Sequence, residues 1–153
     1  MKIKLDKGAR MPTRAHPTDA GLDLYAAEDA VIYPSGFHRY DAMTGDVHFV
    51  PCSAVIDTGV HIAFDPGTYG KIESRSGLNV HFHVVSCGGV IDEGYTGSIK
   101  VKLYNFGQSG YKVHAGDKIA QLVIMPYLVP EIEKVDELAE TERGDAGFGS
   151  TGG

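Results

Sequence analysis

The sequence predicts an all-β domain, a sandwich or barrel of short strands. Three observations lead there. Short runs with alternating or β-branched character recur along the chain, and turn signals such as Pro34-Ser35-Gly36, Asp65-Pro66-Gly67 and Ala115-Gly116-Asp117 separate them. No stretch carries a convincing apolar stripe at the helical period. Glycine accounts for 20 of 153 residues, nearly twice the usual share of about 7%, which fits many turns and close backbone approach.

Taken in order, the predicted strands cover residues 22–26, 31–33, 37–40, 47–50, 54–63, 69–74, 84–86, 99–104, 111–113, 119–126 and 131–135. The segment 37–50 reads as a self-contained hairpin with Thr44-Gly45-Asp46 at its tip. In 88–97, Glu93-Gly94 is a turn dipeptide with strand-like flanks, so a simple hairpin is one reading. A ligand loop, with the Asp92 carboxylate and the Tyr95 ring side by side, is the other. The only helical expectations are single turns near 78–81 and 136–140. From 136 on the strand pattern stops and the chain turns acidic, then glycine-rich. The predicted division is therefore a β domain over 1–135 and a flexible arm over 136–153. Phe148 between glycines, with Arg143 nearby, suits a flap that closes on a flat ligand.

The length suits one domain with its own core. A formal net charge of −6 argues against nucleic acid as a stable partner. There is no apolar run long enough for a membrane span and no secretory pattern at the start. Cys52 and Cys87 form no CxxC pair and read as free thiols in a reducing compartment, the cytoplasm.

Several local patterns bear chemistry. Arg75-Ser76-Gly77 after a strand offers a planar cation, a hydroxyl and accessible backbone N–H groups, a phosphate-gripping set. A surface turn with a paired Arg has the same appearance. Asp23 stands between Leu22 and Leu24, so on a strand it faces away from them. Gln121 is the one strongly polar side chain within the apolar run 119–124 and needs hydrogen-bond partners, from the protein or from a ligand. His81 and His83 form an HxH pair without further ligands at usable spacing, a weak basis for zinc.

In combination and order these patterns resemble the trimeric dUTP pyrophosphatase (dUTPase) family. The resemblance spans about 19–152 through five motifs: 20–26 (Ala-Gly-Leu-Asp-Leu-Tyr-Ala), 75–78 (Arg-Ser-Gly-Leu), 89–97 (Gly-Val-Ile-Asp-Glu-Gly-Tyr-Thr-Gly), 116–122 (Gly-Asp-Lys-Ile-Ala-Gln-Leu) and 143–152 (Arg-Gly-Asp-Ala-Gly-Phe-Gly-Ser-Thr-Gly). It implies a distorted jelly-roll, β-clip-like barrel and a homotrimer with shared active sites. It also implies Mg²⁺-dependent cleavage of dUTP at the α-phosphorus to dUMP and pyrophosphate, which keeps uracil out of DNA and supplies dUMP for dTMP synthesis. Asp92 would activate the water and Tyr95 would lie against the deoxyribose. Asp23 would reach Mg²⁺ through water, while Arg75, Ser76, Gly77 and Gln121 hold phosphate oxygens. Backbone groups of an 85–91 hairpin, including Gly89, Val90 and Ile91, would read uracil. Phe148 would cover the base, and Arg143, Gly149, Ser150 and Thr151 would close on the phosphates.

The chain departs from the family pattern in four places. Ser74 stands where Pro is common, Asn79 where Ala or Gly is common, and Gly94-Tyr95-Thr96 replaces a more usual Asp-Tyr-Arg. The 37–50 hairpin looks like an insertion, with a protein partner as one use for it. The related dCTP deaminases are the nearest rival, but Lys102 stands where that chemistry requires Glu. A catalytically silent nucleotide-binding module is the other rival.

Overall fold

The protein's structure, a computed structural model, describes residues 1–142 and 144. In chain order the strands are β1 (Lys2–Leu5), β2 (Gly21–Tyr25), β3 (Ala30–Ile32), β4 (His38–Tyr40), β5 (Val47–Phe49), β6 (Ser53–Asp57), β7 (Val60–Ala63) and β8 (Thr68–Glu73). One helix, α1 (Ser76–Phe82), precedes β9 (Val84–Ser86), β10 (Val90–Ile91), β11 (Lys100–Asn105), β12 (Tyr111–Val113) and β13 (Lys118–Pro126). The expected all-β, jelly-roll-like character holds.

The principal sheet has the order β10-β8-β13-β2, antiparallel throughout. Its spine is β13, in which Ile119, Ala120 and Leu122 are buried. On β2 the same alternation buries Leu22 and Leu24 and turns Asp23 to the other face. A second sheet, β6-β11-β9, covers the core from the opposite side through Ile56, Val84, Val101 and Leu103. Each fully buried Leu, Ile or Val contributes roughly 1.5–3 kcal/mol, which fixes the register of both sheets, because a one-residue slip would expose the whole set. The pairs β1–β7 and β12–β3 close the margins, and β4–β5 forms the expected separate hairpin over 37–50.

Several expectations need correction. The 54–63 run is two strands, broken at Thr58-Gly59, where the Thr58 hydroxyl donates to the Ile99 carbonyl at 2.7 Å and Gly59 takes a positive φ. Lys2–Leu5 is a strand that turn punctuation did not flag. Helix α1 is longer than one turn and ends at His83, which takes a left-handed conformation. His81 and His83 are exposed, and no cluster of three or more metal-ligating side chains occurs among the described residues. Neither the 131–135 strand nor the 136–140 turn forms. Ile132 and Leu138 are exposed and none of the described residues covers them, so neither a ladder nor an apolar face rewards ordering.

The 88–97 stretch is not a hairpin on itself, and neither is 85–91. Strand β9 spends its pairing groups on β11, and β10 spends its own on β8, in a different sheet. The intervening residues therefore step from one sheet to the other. No described helix is long and apolar enough to cross a membrane, and both cysteines are free.

Candidate active site

The residues singled out by sequence fall into two groups at opposite corners of the principal sheet. The first lies where β2, β8 and β13 run side by side. Asp23, Gln121 and Glu73 occupy one register row across these strands. Arg75 follows β8 and caps α1, and its Nε donates to Asp23 Oδ1 at 3.1 Å. Lys118 Nζ reaches Asp23 Oδ2 at 2.6 Å. Asp23 is thus held by two cations, with 13% of its side chain exposed. It is not the plain solvent-facing acid that its strand position also allows.

Gln121 donates through Nε2 to the Ser74 carbonyl at 3.0 Å, which leaves its amide oxygen for another donor. That oxygen occupies the space over Gly21, where a Cβ would lie 2.3 Å from it. Glycine at 21 therefore makes room for Gln121. A cavity of about 440 Å³ is lined here by Asp19, Gly21, Asp23, Arg75, Ser76, Gly77, Lys118 and Gln121, among others. The Arg and Lys on its wall and the backbone at Ser76-Gly77 suit a polyanion. Lys118 was missed from sequence. No local pattern marks it: its pairing with β2, where the register shifts between Lys118 and Ala120, brings it to Asp23.

Ser74, the departure from the usual Pro, has a use here. Its hydroxyl accepts from the Ser86 N–H at 2.9 Å and contacts the Ser86 carbonyl and hydroxyl at 3.1 Å. Proline could not make this brace between β8 and β9.

The second group surrounds Asp92. Gly89 takes a φ of +120° and packs on Ile72, and its carbonyl accepts from the Ile72 N–H at 2.9 Å. Val90 and Ile91 pair with Lys71 and Gly70, so Asp92 is the first residue past the sheet. A turn follows, closed by the Tyr95 N–H to the Asp92 carbonyl at 3.0 Å. The Tyr95 ring folds back over Gly97, and its hydroxyl donates to the Ser98 carbonyl at 3.0 Å. A cavity of about 310 Å³ lies against this turn, lined by Tyr69, Val90, Asp92, Glu93, Gly94 and Tyr127. Glu93 accepts from the Gly67 N–H at 2.8 Å and the Tyr127 hydroxyl at 2.7 Å. The Tyr127 hydroxyl, then the Gly67 amide, holds the Glu93 carboxyl below the usual carboxylate range.

Sequence reasoning missed Tyr69, Glu93, Ser98 and Tyr127. Tyr69, Glu93 and Tyr127 act through contacts between segments far apart in the chain, which no local pattern reveals, and Ser98 acts through its backbone carbonyl, which its side-chain identity does not announce.

Within one chain the two groups do not meet. Asp92 is level with Tyr69, and Asp23 with Glu73, three strands away. At about 3.3 Å per residue along a strand and about 4.8 Å between strands, the separation is roughly 20 Å. Arg143, Phe148, Gly149, Ser150 and Thr151 lie outside the described residues.

A family model described as dUTPase matches residues 7–152. The chain is 43% identical over 151 residues to the deoxyuridine 5'-triphosphate nucleotidohydrolase of Gloeothece citriformis, covering 97% of this chain and 93% of that protein. It is 41% identical over 155 residues to that of Clostridium acetobutylicum, covering 99% and 96%. Among solved structures it is similar to Staphylococcus bacteriophage 80alpha dUTPase with dUPNHPP, with a TM-score of 0.81, 33% identity and coverage of 99% and 97%. A variant dUTPase from phage phi11 of S. aureus, described for the coordination of a structural Mg(II) ion, matches with a TM-score of 0.74, 30% identity and coverage of 91% and 98%. On these similarities, spanning nearly the whole chain and both corners of its principal sheet, the chain belongs to the dUTPase family.

Proposed function

We propose that this chain hydrolyses dUTP at the α-phosphorus to dUMP and pyrophosphate, with Asp92 as the general base. The observation that carries this reading is the division of the site: a carboxylate and a tyrosine at one corner, a polyanion cavity at the other. Asp92 is exposed at the mouth of its turn, free to accept a proton from water. The water oxygen bonds to the α-phosphorus, the bond from that phosphorus to the α–β bridging oxygen breaks, and pyrophosphate leaves. Arg75, Lys118, the Ser76-Gly77 backbone and the Gln121 amide supply donors for the phosphate oxygens. Tyr95, seated on Gly97, meets the deoxyribose face. Backbone groups from 85 to 91 read the uracil edges.

The residues fit Mg²⁺ in its outer-sphere mode. The cavity wall carries Asp23 and Asp19 and no cage of three ligands among the described residues, and Mg²⁺ usually keeps several waters. Bound there, Mg²⁺ would neutralise developing charge on the triphosphate. Asp23 would hold its water, with Arg75 and Lys118 turning from Asp23 toward the phosphates.

A base and its phosphate ligands must converge on one triphosphate, and within one chain they stand roughly 20 Å apart. This separation supports a site shared between subunits of a homotrimer, Asp92 from one and Arg75 with Gln121 from another. The segment after β13 supports it too, because Leu128, Val129 and Ile132 find no cover among the described residues of their own chain. On this reading 143–152 forms the arm that completes the site, in a cytoplasmic enzyme. The 37–50 hairpin, which carries exposed Tyr40, Met43, Val47 and Phe49, is assigned to a protein partner. Its deletion should spare dUTP hydrolysis and remove the partner, and unchanged binding of any partner would count against that assignment.

The test is incubation with dUTP, dCTP, dTTP or UTP plus Mg²⁺, measuring pyrophosphate and ammonia. Pyrophosphate from dUTP alone is expected. Ammonia from dCTP would indicate a deaminase, and neither product a silent module. Asp92→Asn should lower kcat by at least about a hundredfold with dUTP binding retained, and unchanged turnover would remove Asp92 from its role.

A further inference from the structure

Among the described residues, the Asp92 carboxylate makes no hydrogen bond, so its place is set by the turn that carries it. Two side chains tie that turn down. Tyr95 does so on the outgoing side, through the Ser98 carbonyl. On the side of Asp92 the tie is Glu93. Its Oε2 accepts from the Gly67 N–H at 2.8 Å, in the turn before β8, and from the Tyr127 hydroxyl at 2.7 Å, just past the end of β13. The Tyr127 N–H in turn donates to the Gly67 carbonyl at 3.1 Å, so the two donors that grip Glu93 are themselves joined. Tyr69, on β8, meets the Tyr127 ring edge-on at 6.2 Å between centroids. A carboxylate next to a proposed base thus closes a clasp over the ends of two central strands.

We propose that Glu93 is a positioning residue for the reaction, acting through Asp92 by clasping its turn to Gly67 and Tyr127; this rests on the reading of Asp92 as the base. Glu93 touches neither water nor phosphate in this role. It removes the freedom of a turn whose only backbone closure among the described residues is the Tyr95 N–H to the Asp92 carbonyl. The chemistry of the clasp requires an acceptor at that point, since both of its partners donate. A side chain without one would leave the Gly67 amide and the Tyr127 hydroxyl to water and let Asp92 drift. A misplacement of about 1 Å at a reacting group can cost on the order of a hundredfold in rate.

The experiment is a cycle of Asp92→Asn, Glu93→Ala, their double variant and Glu93→Gln, with kcat and KM read from pyrophosphate release on dUTP with Mg²⁺. Glu93→Ala should lower kcat about tenfold to a hundredfold, with KM changed by less than about twofold. Glu93→Gln keeps an acceptor oxygen of the same reach and should recover most of that loss. In the Asp92→Asn background, Glu93→Ala should add almost nothing, because the residue through which it acts has already been disabled. An unchanged kcat for Glu93→Ala, with Asp92→Asn impaired, overturns the role of Glu93 and leaves the base in place. An equal loss in both backgrounds overturns it as well, by showing general damage to the fold. Undiminished turnover of Asp92→Asn overturns the base assignment and the clasp with it.

Discussion

Gly97→Ala tests how the Tyr95 ring is held, because the close approach of ring and glycine sets the size of the effect. A Cβ at residue 97 would lie 2.5 Å from the Tyr95 hydroxyl oxygen, 2.6 Å from Cζ and 3.0 Å from Cε2. Carbon contacts relax only beyond about 3.5 Å, so the ring must withdraw by roughly 1 Å. That movement breaks the hydroxyl's bond to the Ser98 carbonyl, now 3.0 Å, for a net loss of about 0.5–1.5 kcal/mol. It also pushes the side chain off its rotamer, at about 0.5–1.5 kcal/mol more. The ring is 44% exposed and has solvent to move into, so the lower half of that range applies, about 1–2 kcal/mol. If the seated ring bars a ribose 2′-hydroxyl, the preference for dUTP over UTP should fall about tenfold. The assay is kcat/KM on both nucleotides, with a thermal melt to confirm folding. Tyr95→Phe keeps the ring on Gly97 and loses only the hydroxyl bond, so its preference should fall by less. A folded Gly97→Ala protein with an unchanged dUTP/UTP ratio would refute the account of Tyr95.

Two further outcomes follow from the same geometry. Gly21→Ala places a methyl 2.3 Å from the Gln121 amide oxygen and should turn that side chain out of its bond to Ser74. KM for dUTP should rise about threefold to tenfold in steady-state kinetics, and an unchanged KM would detach Gln121 from the phosphates. His61 faces two acceptors, the Thr96 carbonyl at 2.9 Å and the Asp6 carboxylate at 3.1 Å, which raise its pKa above the ordinary 6.5. The folded protein therefore binds that proton more tightly than the unfolded chain does. The stabilisation is complete below about pH 6.5 and is lost as pH rises through the folded value. The Tm advantage of the native protein over His61→Gln should shrink as pH rises above about 6.5; a constant difference would contradict it.

Much of the principal sheet was legible because its strands carry their own instructions. The lone polar residues Asp23 and Gln121, each flanked by apolar neighbours, marked the positions that the register then placed opposite each other. What was not legible was pairing at long range. The turn at Glu93-Gly94 was correctly located, yet the strands on its two sides join different sheets: β10 before it pairs with β8, and β11 after it pairs with β6 and β9. Lys118, Glu93 and Tyr127 escaped notice for a related reason: a Lys opening a strand or a Tyr after one means nothing until another segment arrives beside it. The 131–135 run failed differently. Ile132 and Val135 give it β-branched character, but Ile132 is 96% exposed and no strand lies beside it among the described residues. A pattern of that kind orders only where a second strand pairs with it.

The central claim is that one dUTP is served by Asp92 of one chain and Arg75 of another, and subunit complementation tests it most directly. Asp92→Asn and Arg75→Ala chains carrying different tags are co-expressed, and the mixed oligomers are purified and assayed for pyrophosphate release from dUTP. Each variant alone should be nearly inactive. If sites are shared, each mixed trimer has about one site in three with both native residues, so roughly a third of native activity should return. If each chain builds its own site, every site keeps one lesion, and mixed oligomers as inactive as their parents would contradict the account.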